Sequence, residues 1–479
     1  MSSVKDQTIN SVKWTAIEKY SVQGIQFLLG LIMARLLVPS DYGIVGMLAI
    51  FIGVSQTFVD SGFGQALIRK QDRTEADCST VFYFSIVMSF LCYLILFITA
   101  PFIAKFYEMS ILESILRVQS LSIVISSLVS VNTAKLTINL NFKALAKINM
   151  VSSLISGIIG VVAAYNSFGV WALVIQDLLR NIMVVIMTYF ICRWTPLLSF
   201  STKSFKEFFS FGSRMLAANL LGTIYFNLNS LVIGKFYTAK DLGYYSRGTQ
   251  IASYPVSNIN GVISKVVFPI LSKIQDDTEK LINVYRKYIC ISSMLIFFCC
   301  SLLVALAEPL VIFILTDKWH DAIIYLQIFS FSMMFDHLCT INLNLLLVKG
   351  RSDLILRLEI IKRIISLSIL FASIPFGVLA ICISKVIYTQ IAVVINTYYT
   401  GKLFGLGYVK QVKDFSGFFF ISLISCIPAY LINYAPLPNI MKLIVGSLES
   451  LLIYYYMLRK NEYMIEVTDL IKTKAFKIC

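Results

Sequence analysis

Runs of about twenty mostly apolar residues, the length needed to cross the hydrocarbon core of a bilayer as a helix, recur along the whole chain. They lie near residues 14–37, 42–67, 79–104, 115–138, 148–165, 170–192, 208–233, 244–271, 288–307, 322–348, 354–376, 377–400, 415–434 and 438–458. With 479 residues, 58% hydrophobic and only 14% charged, the chain has too few charges to coat the several domains a soluble protein of this length would form. The same figures exclude a disordered chain, and ten cysteines are too sparse for a disulfide scaffold. The reading is an all-α polytopic membrane protein of about fourteen transmembrane helices. Most cysteines fall in apolar stretches and act as small hydrophobes. No CxxC or Cys/His spacing is present, and His320 and His337 cannot make a metal site unaided. Met1 to Lys13 is polar and lacks a cleavable signal pattern, so the span near Trp14 is expected to serve as its own insertion signal.

The formal charge of +15 is explained by topology. With the N-terminus taken as cytoplasmic, alternate connections on that side hold twenty-five Lys and Arg, among them Arg69, Lys70, Arg73, Lys135 and Lys203. The opposite side holds five: Lys105, Lys235, Lys240, Lys318 and Lys442. This bias is the positive-inside pattern, and it places both termini in the cytoplasm. A nucleic-acid partner is not needed to account for the charge. The connections are short, so no extramembrane domain is available for an ATPase or a transferase, and no GxxxxGK[ST] phosphate loop occurs.

The chain repeats itself. Ala34-Arg35-Leu36-Leu37-Val38-Pro39-Ser40-Asp41-Tyr42-Gly43 aligns with Gly234-Lys235-Phe236-Tyr237-Thr238-Ala239-Lys240-Asp241-Leu242-Gly243 at an offset of 200 residues. Arg35 meets Lys235, Asp41 meets Asp241 and Gly43 meets Gly243. Gln71-Asp72 likewise answers Gln275-Asp276. Six spans separate the copies, so the halves share one orientation and are expected to be related by a two-fold axis along the membrane normal. The expected organisation is a six-helix bundle at 1–195, a second at 196–405, two further helices at 406–460 and a cytoplasmic tail at 461–479. Local roles suffice for the shared residues: helix N-capping for the aspartates, tight turning or close approach for the glycines, and snorkelling to the outer interface for Arg35 and Lys235.

The Ala34–Gly43 stretch, the copy running Asp241-Leu242-Gly243-Tyr244-Tyr245-Ser246-Arg247, and Val267-Phe268-Pro269-Ile270-Leu271-Ser272-Lys273-Ile274-Gln275-Asp276 carry a resemblance. They resemble the polysaccharide transporter (Wzx-type oligosaccharide flippase) branch of the multidrug/oligosaccharidyl-lipid/polysaccharide exporter superfamily, and within it the WzxC-like colanic-acid exporter group. The resemblance spans about residues 10–400. It implies a MATE/MurJ-like fold of two pseudo-symmetric bundles working by alternating access. It further implies a bacterial inner-membrane protein that moves undecaprenyl-pyrophosphate-linked oligosaccharide units from the inner to the outer leaflet, for capsule, O-antigen or exopolysaccharide synthesis. The implied coupling ion is a proton or sodium, with no other cofactor. The implied partners are the lipid-linked oligosaccharide, membrane lipid, and a polysaccharide polymerase with its chain-length machinery.

An ionisable group in the bilayer costs about 2.5–3.5 kcal/mol on insertion scales, which makes each one a functional candidate. A pyrophosphate calls for Arg or Lys in a wet cleft, Arg having the better geometry. The resemblance implies that the first two helices of each half line the cavity, and there the chain offers Glu18, Lys19, Asp60, Arg214, Arg247 and Lys265. Helix-end snorkelling accounts equally well for Lys19 and Arg247. Asp177 and Arg180 share a helix face and can neutralise each other. Arg357, Glu359, Lys362 and Arg363 form a net-positive cluster expected to face the cytoplasmic opening of the second bundle, with Lys362 and Arg363 as candidates and Lys385 a weaker one. Ion coupling would use Asp60, Asp177 or the Asp336–His337 pair, and the polar run after Asp60 is expected to be partly unwound.

Two other readings compete. A drug exporter of the same superfamily favours an acidic cavity, whereas this candidate set is basic. A polytopic polymerase or glycosyltransferase needs an acid/base pair in a large outer loop, and the outer loops here are short with few acids. The chain is therefore read as a transporter, not an enzyme.

Overall fold

Several helices of this chain are started by a polar residue three positions ahead of a carboxylate or hydroxyl. Thr74 and Asp77 form a full capping box, the Asp77 amide donating to the Thr74 hydroxyl at 3.2 Å and the Thr74 amide to the Asp77 carboxylate at 2.8 Å. Thr238 and Asp241 form the same box, with amide contacts of 3.1 and 3.2 Å. At the matching place in the first half, Val38 has no hydroxyl, and only the return contact survives: its amide donates to Asp41 at 3.1 Å. Asp41 and Asp241 are thus third-turn-position carboxylates that reach back, and not the N-caps the pattern suggested. Pro39 stands at the first helical position, where its missing N–H costs nothing.

The computed structural model describes residues 4–60, 62–466 and 469, with the side chains of 4–10, 12 and 262–266 outside the description. Among the described residues the chain is helices and connections. In chain order they are α1 Val4–Leu36, α2 Pro39–Asp60, α3 Phe63–Arg69, α4 Glu75–Tyr107, α5 Ile111–Gln119, α6 Leu121–Ser127, α7 Ser130–Ile138, α8 Phe142–Tyr165, α9 Val170–Cys192 and α10 Thr202–Phe236. They continue as α11 Ala239–Lys273, α12 Thr278–Ala305, α13 Ala307–Leu315, α14 Ala322–Met333, α15 Asp336–Val348, α16 Ser352–Ser373, α17 Val378–Phe404, α18 Tyr408–Leu431 and α19 Asn439–Leu458. All fourteen expected segments are helical. Ten stretches are long and apolar enough to cross a membrane, or eleven if the bent pair Ile111–Ser127 and Ser130–Ile138 forms one span. The other three, α1, α11 and α16, are long but richer in polar and charged residues. Among the described residues ten or eleven helical stretches are therefore long and apolar enough to cross a membrane, against the fourteen expected.

The chain forms two compact units, Met1–Gly243 and Tyr244–Cys479. Helix α10, which the repeat places at the head of the second half, packs within the first. There it lies antiparallel along α2. The two Thr hydroxyls of Thr57 and Thr223 meet at 3.0 Å, a Cβ on Gly53 would touch Thr223 at 3.2 Å, and Phe63 packs with Phe208 and stacks on Phe84 at 4.2 Å. The turns at the far end interlock. A Cβ on Gly43 would overlap the Ala239 carbonyl, and one on Gly243 would overlap the Pro39 carbonyl. Positions 39 and 239 are repeat partners, so the contact is reciprocal, as local two-fold symmetry requires. Elsewhere in this unit α8 sits between α1 and α9, with Gly157 against Leu29 and Gly160 against Gln176.

The second unit is built on α12, which packs on α14, α15 and α18, with α19 against α18 and α16 against α17. Its core, around Phe297, Phe335 and Phe415, is stitched by a buried polar cluster. Asn342 on α15 accepts from Tyr285 on α12 at 2.9 Å and from Thr400 on α17 at 2.8 Å, and exchanges bonds with Gln411 on α18. Four helices meet at one carboxamide.

Gly43→Val is expected to abolish the α2–α11 corner, because backbone carbonyls cannot rotate away as a side chain would. In detergent the variant should melt several degrees below the parent. Ala at the uncrowded Gly417, where no atom lies within contact range, should leave the midpoint unchanged.

Candidate functional site

The seam between α2–α3 and α10 opens into two cavities. The first, about 430 Å³, is lined by Arg69, Lys70, Asp72, Glu207, Phe211 and Arg214 among others. The helix breaks just before it. Helix α2 ends at Asp60 and Gly62 takes φ +71°, so the expected unwinding after Asp60 is present, while Ser61 itself lies outside the described residues. A Cβ on Gly62 would also press on Met215 at 2.9 Å, so glycine both permits the turn and lets α10 come close. The short α3 that follows delivers Arg69 and Lys70 to the cavity.

The three cations there differ in kind. Lys70 is held by two carboxylates, Asp77 at 3.2 Å and Glu207 at 3.0 Å. Arg69 lies over the Phe211 ring at 5.1 Å. Neither Arg69 nor Arg214 forms an ion pair among the described residues, and both are exposed. The lining also holds the carboxylates of Asp72 and Glu207, so the cavity is of mixed charge, and Arg69 and Arg214 are its cations without a carboxylate partner among the described residues.

The second cavity, about 420 Å³, continues along the same face of α10. It is lined by Thr57, Asp60, Asn219, Thr223, Phe226 and Asn227, with Ala218 and Gly222. Positions 207, 211, 214, 218, 222 and 226 recur at three- and four-residue steps, one stripe of a helix. From Glu207 to Asn227 the stripe rises about 30 Å, the depth of a bilayer core. Asp60 is exposed and accepts from Gln56 at 3.2 Å, and Gln56 in turn accepts from Ser126. A carboxylate exposed in an otherwise apolar span cannot face lipid cheaply.

The remaining candidates are dispersed. Glu18 accepts from Asn149 on α8 at 2.5 Å, and Lys19 is exposed beside Tyr20. Arg247 donates to Gln250 at 2.7 Å. The side chain of Lys265 lies outside the described residues. Arg35 is exposed, whereas Lys235 does not simply snorkel. It donates to the Phe106 carbonyl at 2.6 Å and reaches Glu108 at 3.4 Å, binding the C-terminal end of α4, where a cation is favoured. Asp177 and Arg180 lie within Coulombic reach, yet among the described residues they form no contact ion pair. The α16 cluster divides. Leu354, Leu358 and Lys362 form a buried stripe, Lys362 is 5% exposed and paired with Glu359 at 2.5 Å, and Arg363 shares Glu359 at 3.6 Å. Lys362 thus lies in the helix-packing core and not on an open face. Asp336 lies within reach of Lys385, and the buried His337 meets Ser293 at 2.9 Å. Among the described residues, no three His, Cys, Asp or Glu side chains come together as metal ligands.

Residues 32–324 match the family described as polysaccharide biosynthesis protein. The chain belongs to that family. Its relatives include the teichuronic acid biosynthesis protein TuaB of Bacillus subtilis, 27% identical over 74% of each chain. They also include the lipopolysaccharide biosynthesis protein WzxC of Escherichia coli, 23% identical over 75% of this chain and 74% of the relative. Among solved structures, the lipid II flippase MurJ in an inward closed conformation matches with a TM-score of 0.74 at 14% identity, over 94% of this chain and 99% of that one. An inward-facing MATE-family transporter matches at 0.60 and 17% identity, over 82% and 95%. The MurJ/MATE-like fold of a multi-pass membrane protein follows.

Burial alone would lower the pKa of Lys70, but its bonds to Glu207 and Asp77 outweigh that and hold it above the usual lysine value. The pair's stabilising contribution is therefore present below the ordinary lysine pKa and is lost only as pH rises through the higher, folded value. Lys70 should acylate more slowly at pH 9–10 than the exposed Lys19. Glu207→Gln should raise the Lys70 rate, measured by peptide mass spectrometry.

Proposed function

We propose that this protein flips undecaprenyl-pyrophosphate-linked oligosaccharide units from the inner to the outer leaflet of a bacterial inner membrane, by alternating access and without enzymatic chemistry. The observation that carries the reading is the pair of unpaired guanidiniums, Arg69 and Arg214, in a cavity at one end of a polar stripe on a membrane helix. A pyrophosphate offers several oxygens at a spacing that a guanidinium fork pairs two at a time. The family and the fold of a lipid flippase support it. With both termini cytoplasmic, as the distribution of Lys and Arg favours, this cavity opens toward the leaflet on which such lipids are made.

In this reading Lys19, Arg247, Lys265 and Arg363 are secondary cations, and Lys362, buried on Glu359, takes no part. The coupling ion is a proton or sodium taken up at Asp60, with Asp177 and Asp336 as alternatives. Asp60 is preferred because it lies on the cavity wall. A polymerase and its chain-length machinery would receive the exported unit.

The test is movement of labelled undecaprenyl-pyrophosphate oligosaccharide in proteoliposomes. Arg69→Ala and Arg214→Ala should each lower the rate by about tenfold or more, the worth of one charged hydrogen bond. Survival of transport in the double variant would remove the cationic cavity from the mechanism, and absence of transport in the parent would overturn the function. An imposed proton or sodium gradient should accelerate the parent, and Asp60→Asn should lose that acceleration.

A further inference from the structure

Beyond the cationic end, the second cavity presents a different chemistry. Among the described residues its lining contains no Lys or Arg. Asn219 makes no hydrogen bond among the described residues, so its carboxamide offers a free acceptor and two free donors. Asn227 uses one donor on the Thr223 carbonyl at 2.9 Å, leaving its oxygen open. Thr57 donates to the Gly53 carbonyl at 2.8 Å, and its contact with Thr223 fixes both hydroxyls toward the seam. Phe226, at 84% exposure, turns an uncovered ring to the same space. The wall therefore has paired donors and acceptors at fixed spacing, an aromatic face and one carboxylate.

Carboxamides that donate and accept, beside Thr hydroxyls whose protons are used on the Gly53 carbonyl and on each other and which can only accept, suit a partner that does both, and vicinal sugar hydroxyls are of that kind. A pyranose also has an apolar face of C–H groups that can lie on Phe226. Asn219 stands five residues beyond Arg214, about 8 Å along the helix. The cavity volume lies within the range of small-molecule sites.

Resting on the flippase reading, we propose that this cavity seats the reducing-end sugar, held by Asn219, Thr223 and Asn227 and stacked on Phe226. The same site discriminates against a uronic acid at that position, because the Asp60 carboxylate would face a second negative charge across the same cavity. The substrate then enters with its sugars ahead and its phosphates trailing at Arg69 and Arg214.

The experiment compares four synthetic carriers in proteoliposomes: undecaprenyl pyrophosphate alone, and the same lipid bearing one N-acetylhexosamine, one neutral hexose or one hexuronic acid. The parent should move the two neutral sugars at least tenfold faster than the uronate, and Asp60→Asn should narrow that gap. Asn219→Ala should slow the sugar-bearing lipids about tenfold while leaving the sugar-free lipid unaffected. Equal slowing of all four would overturn the sugar site while leaving the flippase intact. A parent that moves none of them would overturn the flippase reading. In that event a separate measurement still decides the sugar site: Asn219→Cys should be shielded from a maleimide by the N-acetylhexosamine lipid and not by the sugar-free one. Equal labelling with both would overturn it.

Discussion

Two glycines, 200 residues apart, each press a bare Cα against the main-chain carbonyl that precedes the other's helix turn. A helix backbone can approach another this closely only where no Cβ intervenes, and in a bilayer close backbone approach is a main source of helix association. The Gly43–Ala239 and Gly243–Pro39 contacts hold the start of α2 against the start of α11, and so bring the end of α10 to α2 at the top of the seam. The register of that seam brings Thr57 opposite Thr223 and Gly62 opposite Met215. The site residues of α10 face α2–α3 because this corner is closed.

The second constraint is the cost of charge in an apolar medium. Several of the chain's cations meet it by pairing. Lys362 has Glu359, Lys235 has a helix C-terminus and Glu108, and Lys70 has Asp77 and Glu207. Among the described residues Arg69 and Arg214 pair with no carboxylate, and the exposed Asp60 accepts from the Gln56 amide. A charge left unpaired along a membrane helix is tolerable only beside water or a charged ligand. Arg180, Arg357 and Lys385 also lack an ion pair among the described residues, so what sets Arg69 and Arg214 apart is that they line a cavity together.

Much of this was legible in the sequence, and the failures have physical causes. Helix existence is local, and every expected segment is helical. The repeat was visible because its residues serve the same local geometry twice. The aspartate roles were misread because an N-cap and the third position of a capping box use the same residue types, and only the Val38 and Thr238 contacts tell them apart. Arg69 and Lys70 counted only toward the charge bias of a connection, since nothing local marks which loop cations fold back into a cavity. Asn219, Thr223 and Asn227 did carry a signal, polar residues four apart in an apolar run, that composition obscures.

The sequence by itself determined a polytopic helical membrane protein with a duplicated first-turn motif, because apolar length and turn chemistry are properties of contiguous residues. Tertiary structure alone decided which charges neutralise one another and which stay available. Lys362 and Arg214 sit in similar apolar runs, yet one is buried on Glu359 and the other opens into a cavity. Coulombic pairing depends on separations of a few ångströms between helices far apart in the chain, and those separations are set by packing.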